Sequence, residues 1–269
     1  MSTNTYIPGA PADEADAPRV VLITGAASGI GHAAARLYTE RGHRVVAVDV
    51  DKAGLDQIAE EGDAAATLVG DTADDAANEA AVALALDRFG RLDAVVLNAG
   101  IGGAGPLEAE GSLARLDRVL AVNVHGVASG IRAAIPALRA TGGGAIVATS
   151  SVSGLRGDPG TWAYNASKAA IINLVRGLAV DYAAENIRIN AIAPGGTVTA
   201  MTAAQVSHPV LGPELTARIP VQRWADPHEQ AEAIWFLTSP AASYITGVVL
   251  PVDGGLSANG GILPPPRRR

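Results

Sequence analysis

The sequence predicts an α/β protein with one doubly wound parallel sheet of about seven strands and helices on both faces. Short apolar runs rich in β-branched residues recur along the chain, as in strands that are buried on both faces. Helical patterns alternate with these runs, which is typical of a parallel sheet with crossover helices. No linker interrupts the alternation between residues 19 and 256, so we expect a single domain.

The apolar runs that predict strands are, in chain order, RVVLIT (19–24), RVVAVDV (44–50), ATLVGD (66–71), DAVVLNAG (93–100), GAIVATS (144–150), IRINAIAP (187–194) and GVVLPVDGG (247–255). Helical patterns lie between them, near 29–41, 74–89, 112–139, 161–184 and 227–238. The stretch 195–225 is the least regular and is too long for an ordinary connection, so we expect a mobile substrate lid there. We expect residues 1–18 to form a flexible N-terminal extension and residues 257–269 to form a tail.

The composition argues against several classes of function. A net charge of −7 argues against nucleic-acid and anionic-membrane partners, which need a basic surface. The chain has no cysteine, which excludes disulfides and thiolate chemistry, and its five histidines lack metal-ligand spacing, so we expect no metal. We find neither a signal-peptide core nor an apolar run near the roughly 20 residues of a membrane span. We therefore expect a soluble, cytoplasmic protein.

The segment TGAASGIG (24–31) follows the first predicted strand and opens a helix. Gly25 permits a tight turn, Gly29 lets the backbone approach a phosphate, and Gly31 lets the helix lie close to the sheet. The helix N-terminus offers free N–H groups and a positive dipole end to an anion. Asp49 ends the second strand, where a carboxylate can bind the hydroxyls of an adenosine ribose. These features together predict a dinucleotide site.

A second motif lies in TWAYNASKAA (161–170), where Tyr164 and Lys168 are four residues apart and share one helix face. By itself such a pair is more often an exposed helix surface than an active site. Here, however, the helix begins beyond the fifth strand, at the carboxyl edge where open α/β sheets bind ligands. The segment SSVSG (150–154) leaves that strand at the same edge, which favours the functional interpretation.

In these motifs the chain resembles the short-chain dehydrogenase/reductase family, whose glycine motif is T-G-x-x-x-G-x-G. The resemblance extends over about residues 19–256 and implies the Rossmann fold. LNAG (97–100) resembles the family's N-N-A-G, with Leu97 in place of the first asparagine. The other matching segments are NVHG (123–126), YNASK (164–168), APGGTVT (193–199) and YITGVVLPVDGG (244–255).

The resemblance implies a catalytic set of Asn123, Ser151, Tyr164 and Lys168. Tyr164 would be the general acid/base for hydride transfer between a nicotinamide and a carbinol carbon. We expect two cations, Lys168 and the nicotinamide ring, to lower the pKa of the phenol from about 10. Lys168 would also hold the ribose hydroxyls, and Ser151 would bind the substrate oxygen. Asn123 would hold a water that joins Lys168 to solvent.

The expected cofactor is NAD, because a 2′-phosphate would be repelled by Asp49. Ser28 occupies the position where NADP-using relatives often have arginine, Val50 brings no cation, and Asp51 adds negative charge. The full set of expected cofactor-binding residues is Gly25, Ser28, Gly29, Ile30, Gly31, Asp49, Asp71, Thr72, Asn98, Ala99, Gly100, Tyr164, Lys168, Pro194, Gly195, Thr197 and Thr199.

The expected substrate pocket is apolar and has no arginine or lysine clamp, which favours a neutral, hydrophobic secondary alcohol or its ketone. Its expected residues are Ser151, Val152, Leu155, Trp162, Tyr164, Met201 and Val206. A non-catalytic NAD(H)-binding sensor remains the alternative, although it would not need the catalytic set. An epimerase on a related fold would carry a different glycine spacing, and an enoyl reductase of this family would space its tyrosine and lysine further apart. Ser150 and Ser153 are expected to serve in turns and caps.

Small residues on the helix 161–184 face away from Tyr164 and would let another helix approach closely. They are Ala166, Ala170, Asn173, Gly177 and Ala184. Members of the family commonly assemble through this helix and the 112–139 helix, so we expect a homotetramer, or a homodimer. Packing of these two helices within one chain is the alternative.

Overall fold

The computed structural model describes residues 18–60, 62 and 64–259. Its seven strands form one sheet with the spatial order β3-β2-β1-β4-β5-β6-β7, and each strand runs parallel to its neighbours. The strands are β1 Val20–Thr24, β2 Arg44–Asp49, β3 Ala65–Val69, β4 Ala94–Leu97, β5 Gly144–Thr149, β6 Ile187–Pro194 and β7 Val249–Val252. The predicted fold class is therefore confirmed.

The strands are apolar throughout because both faces of the sheet are covered. In β1, Val20 and Leu22 pack into one hydrophobic core, whereas Val21 and Ile23 pack into the core on the opposite face. Alternation of side chains along a strand explains this division. A continuous run such as VVLIT thus supplies apolar residues to two cores at once.

Helices cover both faces. The core on one face includes residues of α3, α5 and α7, and the core on the other includes residues of α1, α2 and α10. The helices are α1 Gly29–Glu40, α2 Lys52–Ala59, α3 Asp75–Phe89, α4 Ser112–Leu120, α5 Gly126–Ala140, α6 Val152–Leu155, α7 Trp162–Tyr182, α8 Ala203–Ser207, α9 Leu211–Arg218 and α10 Pro227–Thr238. A π-helical turn, Ala121–His125, joins α4 to α5, and 3-10 turns span Ala183–Glu185 and Pro240–Ala242.

Two parts of the chain differ from the prediction. Helix α2 was not expected from the sequence, and it begins where the Asp51 carboxylate accepts the backbone N–H of Ala53. Gly54 weakens the helical pattern, but packing requires it, since a Cβ there would lie 2.6 Å from the Cβ of Ala27. The stretch 195–225 is also less irregular than expected, because it contains α8 and α9.

One long helical segment, Ser112–Ala140, is long enough for a membrane span and contains an 18-residue window with a mean hydropathy of 1.2. No such run was expected from the sequence. In the structure 56% of this 18-residue window is buried within the protein. Ile131, Ala134 and Leu138 of the same segment pack in the core against the sheet. Its apolar character is explained by this packing.

The strand order reverses between β1 and β4, which are neighbours in the sheet although β2 and β3 lie between them in sequence. Open α/β sheets bind ligands at the carboxyl ends of the strands beside such a reversal. The glycine loop leaves β1 at this edge, LNAG leaves β4, and SSVSG leaves β5. The fold therefore brings all three motifs to one edge of the sheet.

The predicted domain boundaries remain predictions. Residues 1–17 and 260–269, which make up most of the predicted extension and tail, lie outside the described part of the chain.

Candidate active site

The glycine loop between β1 and α1 is packed too tightly for side chains. Gly25 has a φ of +66°, and a Cβ there would lie 2.8 Å from the Cα of Ala99. A Cβ at Gly31 would lie 2.0 Å from the carbonyl oxygen of Gly25. Within the described residues, the Ser28 hydroxyl forms no capping bond with the first turn of α1. The loop thus presents backbone N–H groups at a helix N-terminus, which fits the phosphates of a dinucleotide.

Asn98 fixes this loop to the neighbouring strands. Its side-chain amide donates to the carbonyl oxygen of Gly25 at 3.1 Å and accepts the Thr149 hydroxyl at 3.1 Å. The hydroxyl of Thr24 accepts the backbone N–H groups of Asn98 and Ala99. Asn98 therefore joins the ends of β1, β4 and β5, so it shapes the site whatever it contributes to cofactor binding.

Asp49 lies beside the glycine loop, as expected for a residue that faces the ribose. One carboxylate oxygen accepts the backbone N–H of Ala27 at 3.0 Å, and the other accepts that of Asp51 at 3.0 Å. Each oxygen has further lone pairs, so these bonds orient the carboxylate without exhausting it. The carboxylate therefore serves as a turn residue, and its binding to the ribose hydroxyls remains a prediction.

Asp71 and Thr72 follow β3 at the same edge of the sheet. The Asp71 carboxylate pairs with the Arg118 guanidinium at 2.8 Å, and this hydrogen bond holds the pKa of Asp71 below its usual range. The carbonyl oxygen of Thr72 accepts the side-chain amide of Asn78 at 2.8 Å. Their polar groups thus hold the loop after β3 in place.

The segment after β6 approaches the glycine loop. A Cβ at Gly29 would lie 3.1 Å from the Cγ2 of Thr199, which places the start of the predicted lid against the phosphate end of the site. The Thr197 hydroxyl is buried and bonds to the carbonyl oxygen of Gly195 and the side-chain amide of Gln230. Pro194 is the last residue of β6. Closure of this segment on ligands remains a prediction.

Ser151, Tyr164 and Lys168 meet beyond β5. Ser151 caps α6 and lies within hydrogen-bonding reach of the Tyr164 phenol. The Lys168 ammonium is buried, lies 5.5 Å from the centre of the Tyr164 ring and donates to the carbonyl oxygen of Thr149 at 2.7 Å. The helical spacing that placed tyrosine and lysine on one face is therefore confirmed.

The charges differ from the sequence expectation. Burial raises the pKa of Tyr164, the Asp158 carboxylate adds to the rise, and the hydrogen bond with Ser151 opposes it. Burial also lowers the pKa of Lys168 to about 8. Lys168 therefore does not by itself lower the pKa of the phenol, and the expected joint effect of Lys168 and the nicotinamide ring remains a prediction. The ammonium is drawn to the carbonyl of Thr149, and desolvation outweighs its attraction for a phenolate.

Asn123 is fully buried in the π-helical turn. Its side-chain oxygen accepts the backbone N–H of Ile101 at 2.8 Å, and its amide donates to the carbonyl of Ile101 and the hydroxyl of Ser167. A Cβ at Gly100 would lie 3.3 Å from both Asn123 Oδ1 and Lys168 Nζ. The amide therefore joins the loop after β4 to α7 beside the buried ammonium, and the expected water remains a prediction.

The two neighbouring serines have different roles. The Ser150 hydroxyl donates to the backbone carbonyl of Lys168 at 2.8 Å, which confirms a structural role. The backbone N–H of Ser153 donates to the Ser151 hydroxyl that caps α6, and the Ser153 hydroxyl accepts from Ser151 at 3.2 Å and donates to Asp158 at 2.5 Å. Asp158 was not among the site residues expected from the sequence. Its only sequence signal is its place between two residues of the site, Ser151 and Tyr164.

The expected substrate residues differ in exposure. Val152 is buried, Trp162 and Val206 are half-buried, and Leu155 and Met201 are 40% and 55% exposed. Leu155 and Met201 therefore have apolar surface free to meet a ligand, whereas Val152 mainly supports α6.

Across residues 18–60, 62 and 64–259, no group of three or more His, Asp or Glu side chains could hold a metal ion.

A family model described as "Enoyl-(Acyl carrier protein) reductase" matches residues 25–257, most of the chain. The chain belongs to the short-chain dehydrogenase/reductase family. A cis-4-hydroxycyclohexanecarboxylate dehydrogenase from Sinomonas cyclohexanicum is 42% identical to it, over 91% of this chain and 99% of that protein. Further relatives are also named as dehydrogenases or reductases, so this member of the family is an oxidoreductase of the type that acts on CH–OH groups.

Solved structures of the family agree in fold. The 3-ketoacyl-(acyl-carrier-protein) reductase of Brucella melitensis, complexed with NADH, aligns with a TM-score of 0.82 and 37% identity over 89% of this chain and 98% of that chain. A structure from Beutenbergia cavernae, described as an NAD(P)-dependent gluconate 5-dehydrogenase with NADP at low occupancy, aligns with a TM-score of 0.82. Its identity is 41%, over 90% of this chain and 97% of that chain. These neighbours and the packed glycine loop support a nicotinamide dinucleotide as the cofactor.

Proposed function

We propose that this protein is an NAD-preferring oxidoreductase that interconverts a neutral, hydrophobic secondary alcohol and its ketone. The observation that carries the proposal is the grouping of Ser151, Tyr164 and buried Lys168 beyond β5. When bound, the nicotinamide supplies or accepts the hydride. The chain must then move one proton to or from the substrate oxygen, and Tyr164 is the group placed to do so.

Each remaining residue has a task that follows from its contacts. The glycine loop would hold the pyrophosphate, and Asp49 would accept the ribose hydroxyls. Lys168 is fixed by Thr149 beside the phenol, where a cation favours the phenolate when the proton leaves. Ser151 adjoins the phenol and would bind the substrate oxygen.

The Tyr164–Lys168 spacing favours alcohol and ketone chemistry over reduction of a carbon–carbon double bond. The description of the family model names an enoyl reductase, whereas only three residues separate Tyr164 from Lys168 here. Enoyl reductases of the family are expected to space this pair further apart. The assay should therefore include a 2-enoyl thioester beside the alcohols and ketones.

A neutral substrate is supported by the charge near the phenol. The Asp158 carboxylate acts on Tyr164, so a substrate carboxylate at the same place would be repelled. The exposed Leu155 and Met201 suit an apolar body. The relative that acts on cis-4-hydroxycyclohexanecarboxylate suggests a direct comparison between that acid and the unsubstituted cyclohexanol.

The test is a turnover screen of purified protein with NAD+ and secondary alcohols, read by nicotinamide absorbance. We expect kcat/KM for cyclohexanol and other neutral alcohols to exceed that for the matched hydroxy acid by at least about tenfold, or roughly 1.4 kcal/mol. A preference for the acid would contradict the neutral class. Turnover of the enoyl thioester alone would contradict the reaction, and cofactor binding without any turnover would favour a sensor.

A further inference from the structure

A chain of hydrogen bonds leads from Ser151 to a carboxylate. The Ser151 hydroxyl contacts that of Ser153 at 3.2 Å, and the Ser153 hydroxyl contacts Asp158 Oδ2 at 2.5 Å. Ser151 and Ser153 are buried, at 7% and 8% exposure, so water does not readily replace these partners. We call these three residues the hydroxyl chain.

Asp158 is held in place through both its backbone and its side chain. The backbone carbonyl of Asp158 accepts the Thr161 hydroxyl at 3.2 Å and the Asn165 amide at 2.8 Å. The Arg156 guanidinium lies 3.8 Å from its other carboxylate oxygen, Oδ1. The start of α7, which carries Tyr164, therefore also fixes the residue that ends the hydroxyl chain.

The available hydrogen atoms fix the donor and the acceptor of each hydrogen bond in the hydroxyl chain. An ionised carboxylate can only accept, so the single hydroxyl hydrogen of Ser153 goes to Asp158. The Ser153 oxygen can then only accept from Ser151, which gives up its own single hydrogen. Ser151 also accepts the backbone N–H of Ser153 at 3.1 Å. What it has left for Tyr164 is an oxygen lone pair.

We propose that Asp158 is a positioning residue. Acting through Ser153, it turns the hydroxyl hydrogen of Ser151 away from Tyr164, so that at neutral pH the phenol serves as the proton donor to a ketone. This inference rests on the proposed function and deepens it by assigning what controls the protonation of Tyr164. Ser151 can donate to a substrate oxygen or a phenolate only after it turns away from Ser153.

Two charged side chains act near the phenol. They are Lys168 on the same helix, with its ammonium 5.5 Å from the ring centre, and Asp158, whose carboxylate lies 3.8 Å from the Arg156 guanidinium. Burial and Asp158 both raise the pKa of Tyr164. The hydrogen bond with Ser151 lowers this pKa. Because Ser151 also donates to Ser153, the hydroxyl chain competes with the phenolate for that hydrogen.

The test separates the hydroxyl chain from the charge of Asp158. Ser153→Ala keeps the carboxylate and the backbone cap but releases the Ser151 hydrogen. We expect it to lower the pH at which Tyr164 ionises by about one unit, the size of one hydrogen bond to a charged group. The readout is the ultraviolet absorbance of tyrosinate during a pH titration, with the curve of the Tyr164→Phe variant subtracted. Ser150→Ala, a buried serine outside the hydroxyl chain, is the matched control and should titrate like the parent.

Asp158→Asn should also lower the pH at which Tyr164 ionises, because it removes the negative charge of the carboxylate. If Asp158→Asn moves the curve and Ser153→Ala does not, the charge acts directly and the hydroxyl chain is refuted. If Ser153→Ala fails to fold, Ser153→Cys, a weak hydrogen-bond partner, replaces it. In the pH profile of kcat/KM for alcohol oxidation, the midpoint on the acid side should shift by the same amount as the pH at which Tyr164 ionises. If no alcohol is turned over, the proposed function fails, while the tyrosinate titration still decides whether the hydroxyl chain exists.

Discussion

Asp49→Asn should remove most of the discrimination against NADP. The Asp49 carboxylate is held against the glycine loop by the N–H of Ala27 at 3.0 Å, at the place where a 2′-phosphate on the ribose would be repelled. Coulomb repulsion between unit charges about 5 Å apart sets the size of this effect. At an effective dielectric near 20, one unit of phosphate charge there costs about 3 kcal/mol, or roughly a hundredfold in kcat/KM. The parent is therefore expected to prefer NAD by at least about two orders of magnitude.

Asparagine removes this charge and keeps one oxygen for the backbone N–H and the ribose. We expect kcat/KM with NADP to rise by about a hundredfold and that with NAD to fall by no more than about tenfold, the value of one hydrogen bond. The assay compares both cofactors at near 0.15 M salt, where distant charges are screened. Asp51→Asn is the matched control, since asparagine also caps α2. Equal effects in both variants, or equal use of both cofactors by the parent, would refute the argument.

Three further predictions concern the loop, the pH dependence of stability and the assembly. Gly31→Ala should abolish NADH binding in a fluorescence titration, because its Cβ would lie 2.0 Å from the Gly25 carbonyl oxygen, whereas Gly177→Ala, with no atom within 4 Å of its Cβ, should bind normally. Burial lowers the pKa of His43 to about 4. The free energy of unfolding therefore keeps the full contribution of His43 above its unfolded pKa near 6.5, and it loses up to about 3 kcal/mol as the pH falls towards 4. His43→Asn, which can still accept the backbone N–H of Arg19, should flatten the Tm profile between these pH values, and an unchanged slope would contradict the assignment. Light scattering should return a homotetramer that Gly177→Arg dissociates, and a monomeric parent would contradict the assembly.

The fold could be predicted because its strands carry apolar residues on both faces. Runs such as RVVLIT (19–24) leave little choice between a buried strand and other structures when glycine follows and helical patterns flank them. Helix α2 was missed because Gly54 interrupts its pattern, and the need for that glycine arises only from contact with Ala27. Asp51, with Leu55 and Ile58 after it, was the available signal.

The positions of the candidate site residues could be predicted better than their electrostatics. Helical spacing places Tyr164 beside Lys168, but it does not reveal that the ammonium would bond to Thr149 or that burial would raise the pKa of the phenol. Asp158 could not be predicted, because its contact with Ser153 depends on the turn of α6 and on the start of α7. Such contacts arise from tertiary packing rather than from spacing along the chain.

Tyr164→Phe tests the central claim most directly, because it removes the proton-transfer group and little else. With NAD+ and the best alcohol from the screen, we expect kcat to fall by at least about a hundredfold, the usual contribution of a general acid/base. The Kd for NADH should stay within about threefold of the parent, and Tyr182→Phe, near the end of the same helix, should keep full activity. Turnover of Tyr164→Phe within about tenfold of the parent would contradict the assignment of Tyr164 as the general acid/base.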